Sequence, residues 1–581
     1  MMRFFFLLFT IIIIFNNCYA LNLSDLWVGE AASKRRQLVS VKSDDFMISS
    51  AHPLASRAGQ EIMAKNGNVI DAIIAAQMVL NVVEPQSSGI GGGGFLLYYD
   101  AKNNNYKYYN GRETAPQKSY DTMFLDKNNK PENFLDALQG GKAVATPGLL
   151  KMLKAAHDDY GKLPWQDLFK PAINLARNGY EVDHRLYVNL KRAQYLKNFS
   201  QTANLYLDDK GKPFKIGTII KNEKLAQTLE SISKNGIKPF YEGDLAKKII
   251  NKINNSKINP GFMTLSDLKN YKIKKGVPIC AKYRKKYKIC SMSLPSSGGI
   301  TILQILGMLE NFDLSKYSPN SLEAIHLISE ATRMAYEDRN KYIGDNNNVP
   351  INKMLDKNYL KKRGKMIDIK KAAISFNPGN LIDNDNITKN IKNNESSETT
   401  HMSAIDKNRN AISFTSSIEY FFGSALSVEG FLLNNHMTDF SFINKIGNKK
   451  VANAVAPFKQ PRSSMSPTFI FDNNKLIMTL GSPGGPRIIQ YVVKTIIASL
   501  DWNMDIQEAI SLPNFTVLNN VIELESGTNI VKFAKILRKM GHKVHVKDQV
   551  SGIHAIKITK DNKLIGGADP RRSGVAIGSI K

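Results

Sequence analysis

Thr399 stands at an abrupt change of character in a chain of 581 residues. Residues 377–398 form a polar run rich in Asn, Lys and Asp that ends at Glu398, and Thr399-Thr400-His401 opens a stretch of alternating apolar and polar residues. The first composition cannot bury enough apolar surface to pack, whereas the second reads as a half-buried strand. A precursor cut at this point would carry a hydroxyl residue at a new N-terminus; taken alone, the junction reads as a surface loop running into an edge strand. Gly481-Ser482-Pro483-Gly484-Gly485 follows a strand pattern and precedes an apolar helix pattern. Successive backbone N–H groups in such a turn can form an oxyanion hole, although a tight strand-to-helix turn needs the same residues. Clustered hydroxyls lie at 463–468, and an apolar run ends in the polar stretch 434–439. Gly89–Gly94 matches GxGxxG, but residues 95–99 after it read as a strand, where a dinucleotide site needs a helix. Close backbone packing is the better account of those glycines.

The elements that must position these residues have a recognisable order. A helical pattern covers 55–83, strands are expected at 95–100 and 106–110, and 130–270 is mostly helical in periodicity. Helices are expected from 298, over 320–345, at 488–500 and at 530–540. Strands are expected at 401–406, 411–417, 468–471, 476–480, 553–559 and 564–567. Strands flanked by helices suggest layered α/β packing. The first twenty residues have a basic start, an apolar block and a small-residue end, the pattern of a secretory signal peptide. No later run is apolar enough to span a membrane. Beyond Cys18, the cysteines are Cys280 and Cys290, which a hairpin folded about Lys285 would set opposite each other. In an exported chain the pair could be oxidised, and such a disulfide would be structural; the spacing suits neither a redox pair nor a metal site. The net charge of +28 comes from lysines scattered through Lys/Asn-rich loops, without aromatic interleaving or a nucleic-acid motif. It reads as a solvated surface.

Several stretches together, in order, resemble the γ-glutamyltranspeptidase family of N-terminal nucleophile hydrolases. They are His52-Pro53-Leu54-Ala55-Ser56, residues 87–95, Gly111-Arg112-Glu113-Thr114-Ala115-Pro116, residues 294–299, Ala335-Tyr336-Glu337-Asp338-Arg339 and Thr399-Thr400-His401. Residues 434–440, 463–468, 481–485 and Ala568-Asp569-Pro570-Arg571 complete the pattern. The resemblance implies a four-layer αββα sandwich built jointly by two subunits from one precursor. It implies a signal peptide at 1–20, a large subunit at 21–398 with a flexible polar tail, and a small catalytic subunit at 399–581. The implied enzyme cuts itself between Glu398 and Thr399, cleaves γ-glutamyl amides such as glutathione, and passes the acyl group to water or to amino acid or peptide amines. It would need no metal and no cofactor, bind no nucleic acid, and act as an exported, periplasmic or secreted heterodimer.

By the same resemblance Thr399 is the nucleophile. A free α-amine titrates at about 7.7–8.0, so it can act as base for its own hydroxyl near neutral pH. Arg112, Ser463 and Ser464 would bind the substrate α-carboxylate, and Asp439 with Glu419 the α-ammonium. Gly484 and Gly485 would donate to the tetrahedral oxyanion. Ser417 stands where the family usually has a Thr that hydrogen-bonds the nucleophile. His436 replaces the usual Gln or Glu at the substrate amine; neutral it accepts a hydrogen bond, protonated it repels the ammonium. Residues 441–456, expected to cover the pocket, are short and lack an aromatic gate, which predicts an open pocket. The competing readings are a cephalosporin (glutaryl) acylase of the same fold and an unprocessed, inactive, basic surface-binding homologue.

Overall fold

The computed structural model describes residues 35–382, 387–388 and 398–579. The expected signal peptide at 1–20 and much of the polar run before Glu398 lie outside the described residues. Two seven-stranded antiparallel sheets face each other between helical layers. The first runs in the order Val575–Gly578, Met47–Ser50, Glu398–Ile405, Ala411–Glu419, Gly93–Asp100, Asn105–Asn110, Lys274–Gly276. The second runs Val41–Ser43, Leu564–Ala568, His554–Ile558, Lys475–Gly481, Thr468–Asp472, Tyr287–Ser291, Ile279–Tyr283. Helices Pro53–Ala64 and Val69–Val83 cover the first sheet, and Gly298–Leu309 and Ile488–Leu500 cover the second. This is the expected αββα sandwich, and residues on both sides of Thr399 build both of its sheets.

Local sequence explains the outer layers. The helical pattern over 55–83 is in fact two helices, separated where Asn66 takes a left-handed φ of 69°. The second restarts at Asn68, whose side chain caps the N–H groups of Ile70 and Asp71 while Asp71 caps it in return. Every residue of Val69–Val83 is buried, because this largely apolar helix packs between the first sheet and other helices. The glycines at 91–93 allow close backbone approach: a Cβ at Gly91 would stand 2.1 Å from Leu432 O, and one at Gly92 would stand 2.2 Å from Ser417 O.

The strand beginning at the junction differs from its sequence reading. It starts at Glu398, and all eight residues of Glu398–Ile405 are buried, as are all nine of Ala411–Glu419. The alternation is not core against solvent. Met402, Ala404, Ile412 and Phe414 pack in the cluster under the first helical layer. Ser403 and Ser413 face the second sheet, where their hydroxyls donate to His554 O at 2.9 Å and Leu480 O at 2.8 Å. Buried hydroxyls paired in this way replace the solvent that a half-buried strand would meet. Glu398 therefore belongs to the sheet and not to the polar run.

In the second sheet Cys280 pairs with Cys290 across the hairpin, and the two are joined by a disulfide with an S–S distance of 2.06 Å. A three-stranded unit of Phe515–Leu518, Val521–Glu525 and Lys543–Lys547 was not expected from the pattern. Residues 530–540 hold a 3-10 turn and a short helix, Ala534–Lys539. No helix among the described residues is long and apolar enough to cross a membrane.

Candidate active site

Strands Glu398–Ile405 and Ala411–Glu419 pair Glu398 with Glu419 and Thr400 with Ser416, so the register shifts at Thr399. Bulges of this kind re-aim a side chain. With the Glu398–Thr399 bond intact, Thr399 Oγ1 lies 2.5 Å from Glu398 O. Ser417 Oγ donates to the same carbonyl at 2.7 Å, accepts the Glu419 N–H at 2.8 Å, and stands 3.5 Å from Thr399 Oγ1. The carbonyl before Thr399 is thus already polarised by a hydroxyl, with a second hydroxyl beside it.

Thr399 opens onto a pocket lined by Arg112, Glu398, Ser417, Glu419, His436, Asp439, Ser463, Ser464, Met465, Gly485 and Ile488. Every residue proposed from the sequence for substrate or nucleophile lines it except Gly484, which sits next to the lining residue Gly485. Gly484 and Gly485 have φ of 129° and 55°, in the region that favours glycine. They form the turn between strand Lys475–Gly481 and helix Ile488–Leu500. A Cβ at Gly484 would also stand 2.7 Å from the Tyr491 ring.

One wall is cationic and hydroxylic. Arg112 is 1% exposed. It pairs with Asp439 and donates to Pro461 O at 3.2 Å and Arg462 O at 3.3 Å. Ser463 Oγ accepts the Met465 N–H at 3.1 Å, which leaves its O–H able to donate. Ser464 Oγ accepts from Arg339 Nη2 at 2.8 Å. Other lining residues are acidic. Glu419 takes a φ of 83° and is held by the Asn435 side-chain amide; such backbone strain clusters at functional sites. His436 Nδ1 lies 2.9 Å from Glu113 Oε1. Burial raises the Glu398 carboxyl well above its ordinary value, opposed by Arg185 and Arg192 and reinforced by Glu419.

The pocket is neither sealed nor a flat surface groove, and residues 441–456 do not line it. Its lining side chains are buried, Asp439 being the most exposed at 7%. That segment is held by polar ties where an aromatic gate is missing. Asn453 Nδ2 donates to Asp439 O at 2.7 Å, and Lys459 Nζ donates to Ala452 O at 2.7 Å and Ala454 O at 2.8 Å. Phe442 stacks on Phe124 at 4.5 Å, and Ile387–Thr388 adds a parallel strand to Lys449–Val451.

The family profile described as gamma-glutamyltranspeptidase matches residues 55–579. The chain belongs to the γ-glutamyltranspeptidase family. It is 36% identical over 549 residues to the glutathione hydrolase proenzyme of Bacillus subtilis strain 168, covering 92% of this chain and 91% of that protein. It is also 36% identical over 546 residues to the glutathione hydrolase proenzyme of Escherichia coli K12, covering 91% of each. Among solved structures, the cephalosporin acylase from Bacillus halodurans superposes with a TM-score of 0.80 at 25% identity, covering 94% of this chain and 98% of that one. The Helicobacter pylori γ-glutamyltranspeptidase chain superposes with a TM-score of 0.55 at 35% identity, covering 60% and 99%.

Within this γ-glutamyltranspeptidase, several buried polar residues support the cavity without having been assigned a role from the sequence. Arg339 Nε donates to Ser297 Oγ at 2.9 Å while its Nη2 holds Ser464. Ser297 in turn donates from its N–H and its hydroxyl to Ser463 O at 2.7 and 2.8 Å. Asn434 Nδ2 ties the 434–439 segment to Gly91 O and Ala145 O, both at 2.8 Å. Arg185 pairs with Glu84, which accepts from Thr400 Oγ1 at 3.3 Å. The signal for Arg339 was its place in the family stretch 335–339, which helix Leu322–Tyr342 buries. Arg185 had no signal beyond its charge.

Proposed function

We propose that this enzyme cuts itself between Glu398 and Thr399 and then uses Thr399 to transfer γ-glutamyl groups from glutathione-like amides. In the first event Thr399 Oγ1 attacks the Glu398 carbonyl carbon, and the acyl group moves from nitrogen to oxygen. That shift frees the Thr399 α-amine, and water then hydrolyses the ester, releasing the Glu398 carboxylate and the Thr399 hydroxyl. The Ser417 hydroxyl, 2.7 Å from the Glu398 carbonyl oxygen, stabilises the charge that develops there. The products are a large subunit of residues 21–398 and a small subunit of residues 399–581. They stay associated because strand Glu398–Ile405 pairs with Met47–Ser50 and strand Ala411–Glu419 pairs with Gly93–Asp100.

In turnover the α-amine takes the Oγ1 proton, and the oxygen attacks the γ-carbonyl. The N–H groups of Gly484 and Gly485 receive the oxyanion, the leaving amine is protonated, and a γ-glutamyl ester of Thr399 remains. Water or an acceptor amine resolves it. Arg112, Ser463 and Ser464 bind the α-carboxylate; Asp439, Glu419 and His436 bind the α-ammonium.

The observation that carries this reading is that Thr399, cationic Arg112 and anionic Asp439 and Glu419 line one cavity, matching a zwitterionic amino acid. A glutaryl group has no ammonium to offer those carboxylates, so it would forgo that interaction. We also propose export, supported by the composition of residues 1–20 and by the Cys280–Cys290 disulfide. N-terminal sequencing of the small fragment, followed by turnover of γ-glutamyl and glutaryl anilides, tests the reading. A chain that stays uncut, or prefers the glutaryl substrate, refutes it.

A further inference from the structure

Arg572 is fully buried and reaches the main chain of Thr399. Its Nη1 donates to Thr399 O at 3.3 Å, its Nε to Ser551 O at 3.0 Å and its Nη2 to Val550 O at 3.5 Å. Gly552 leaves the necessary room, since a Cβ there would stand 2.6 Å from Arg572 Nε and 2.5 Å from the Pro483 ring. The Gly552 N–H donates to Ser482 Oγ at 3.2 Å, within the turn that carries Gly484 and Gly485. One guanidinium therefore links Thr399 to a loop braced on the glycine turn.

The Thr399 carbonyl has reason to need this partner. Pairing with Met47–Ser50 begins only at Met402, and the bulge interrupts the other ladder between Glu398 and Thr400. A buried carbonyl left unmatched is costly. Cutting the bond before Thr399 removes one of its two covalent anchors, so the bond to Arg572 then restrains rotation about the remaining one. Charge adds a second effect. An α-amine nitrogen lies within about 3.6 Å of its own carbonyl oxygen, which puts the guanidinium within about 7 Å of the new amine.

We propose that Arg572 is a positioning residue for Thr399, holding its main chain against the glycine turn and disfavouring the charged form of its α-amine. The proposal rests on Thr399 becoming the N-terminal nucleophile. Other groups around the amine are Ser417 and Glu419 on the neighbouring strand, Glu84 with Arg185 beneath Thr400, and the Arg112–Asp439 pair across the cavity. The carboxylates favour the ammonium form, and Arg572 offsets them. Burial lowers Arg572 from its ordinary value, but a guanidinium starts high enough to stay charged at neutral pH.

The test is the pH dependence of kcat/KM for a γ-glutamyl anilide, measured on self-cleaved Arg572→Met and Arg572→Lys enzymes. Arg572→Met is expected to move the acid limb up by about one pH unit. It should also lower kcat at least about tenfold while KM stays within about threefold. Arg572→Lys should keep the limb and still lose kcat, because one ammonium cannot reproduce the fork. An unmoved limb in Arg572→Met overturns the charge effect, and parental kcat in either variant overturns the positioning. An Arg572→Met chain that stays uncut, yet melts like uncut Thr399→Ala, supports positioning at the cleavage step. If Arg572→Met does not fold, kcat and limb of Arg572→Lys decide alone. If Thr399→Ala turns over the anilide, the nucleophile assignment fails instead.

Discussion

Replacing Ser417 with Ala removes the hydroxyl that donates to the carbonyl of the bond to be cut. The donor stands 2.7 Å from Glu398 O, short enough to follow charge as it builds on that oxygen. Loss of one such donor costs about 10²–10³ in rate, or about 3–4 kcal/mol. Ser417 Oγ also accepts the Glu419 N–H at 2.8 Å, so the substitution orphans a buried donor as well. That should cost about 1–3 kcal/mol of stability. The two effects are separable: the first appears in the rate of fragment formation on denaturing gels, the second in the melting temperature. Ser417→Thr keeps the oxygen and should restore cutting to within about threefold, whereas Ser417→Ala should slow it at least about 100-fold. A folded Ser417→Ala chain that cuts itself within about threefold of the parent rate refutes the role of this hydroxyl.

Arg112→Lys should raise KM for γ-glutamyl substrates at least about 100-fold with a smaller change in kcat, because a single ammonium loses the two-pronged grip on a carboxylate; steady-state kinetics check it. Acidification should destabilise the fold from pH 6.5 downward. Burial lowers His52 to about 4 and His542 and His554 each to about 3, so the native state keeps them neutral where the unfolded chain is charged. The unfolded state then binds more protons, and stability falls with pH between about 6.5 and 4, at up to about 4 kcal/mol per unit if all three titrate together. Melting temperature across that range tests this, and a flat profile refutes it. Replacing Cys280 and Cys290 with Ser opens a loop with a sequence separation of 10. This should cost about 2–3 kcal/mol by denaturant unfolding and leave turnover unchanged, since the hairpin lies outside the cavity lining.

Much of the site was legible because its residue types are restrictive. A Thr after a polar run, paired glycines after a strand, and an Arg and Asp far apart in the chain each suit few purposes, and the family pattern joined them. The supporting polar residues were less legible. Arg339, Ser297, Asn435 and Arg572 act through partners between 16 and 173 positions away, and no local pattern announces such pairs. The strand Glu398–Ile405 was misread for the same reason: alternation reports two different faces, and hydroxyls facing a second sheet look like hydroxyls facing water. The segment 441–456 was judged by a missing aromatic, while Asn453 and Lys459 hold it through bonds to main-chain carbonyls.

Local chemistry in the sequence determined the two-residue junction, the glycine turn, the capped helices and the cysteine hairpin, because each depends on neighbours within a few residues. Only the tertiary structure decided that Glu398 lies buried in a central strand, that a bulge turns Thr399 toward its own preceding carbonyl, and that Ser417 reaches that carbonyl from the adjacent strand. Those features depend on strand register and on two sheets meeting face to face, and register is set by packing across the whole sandwich.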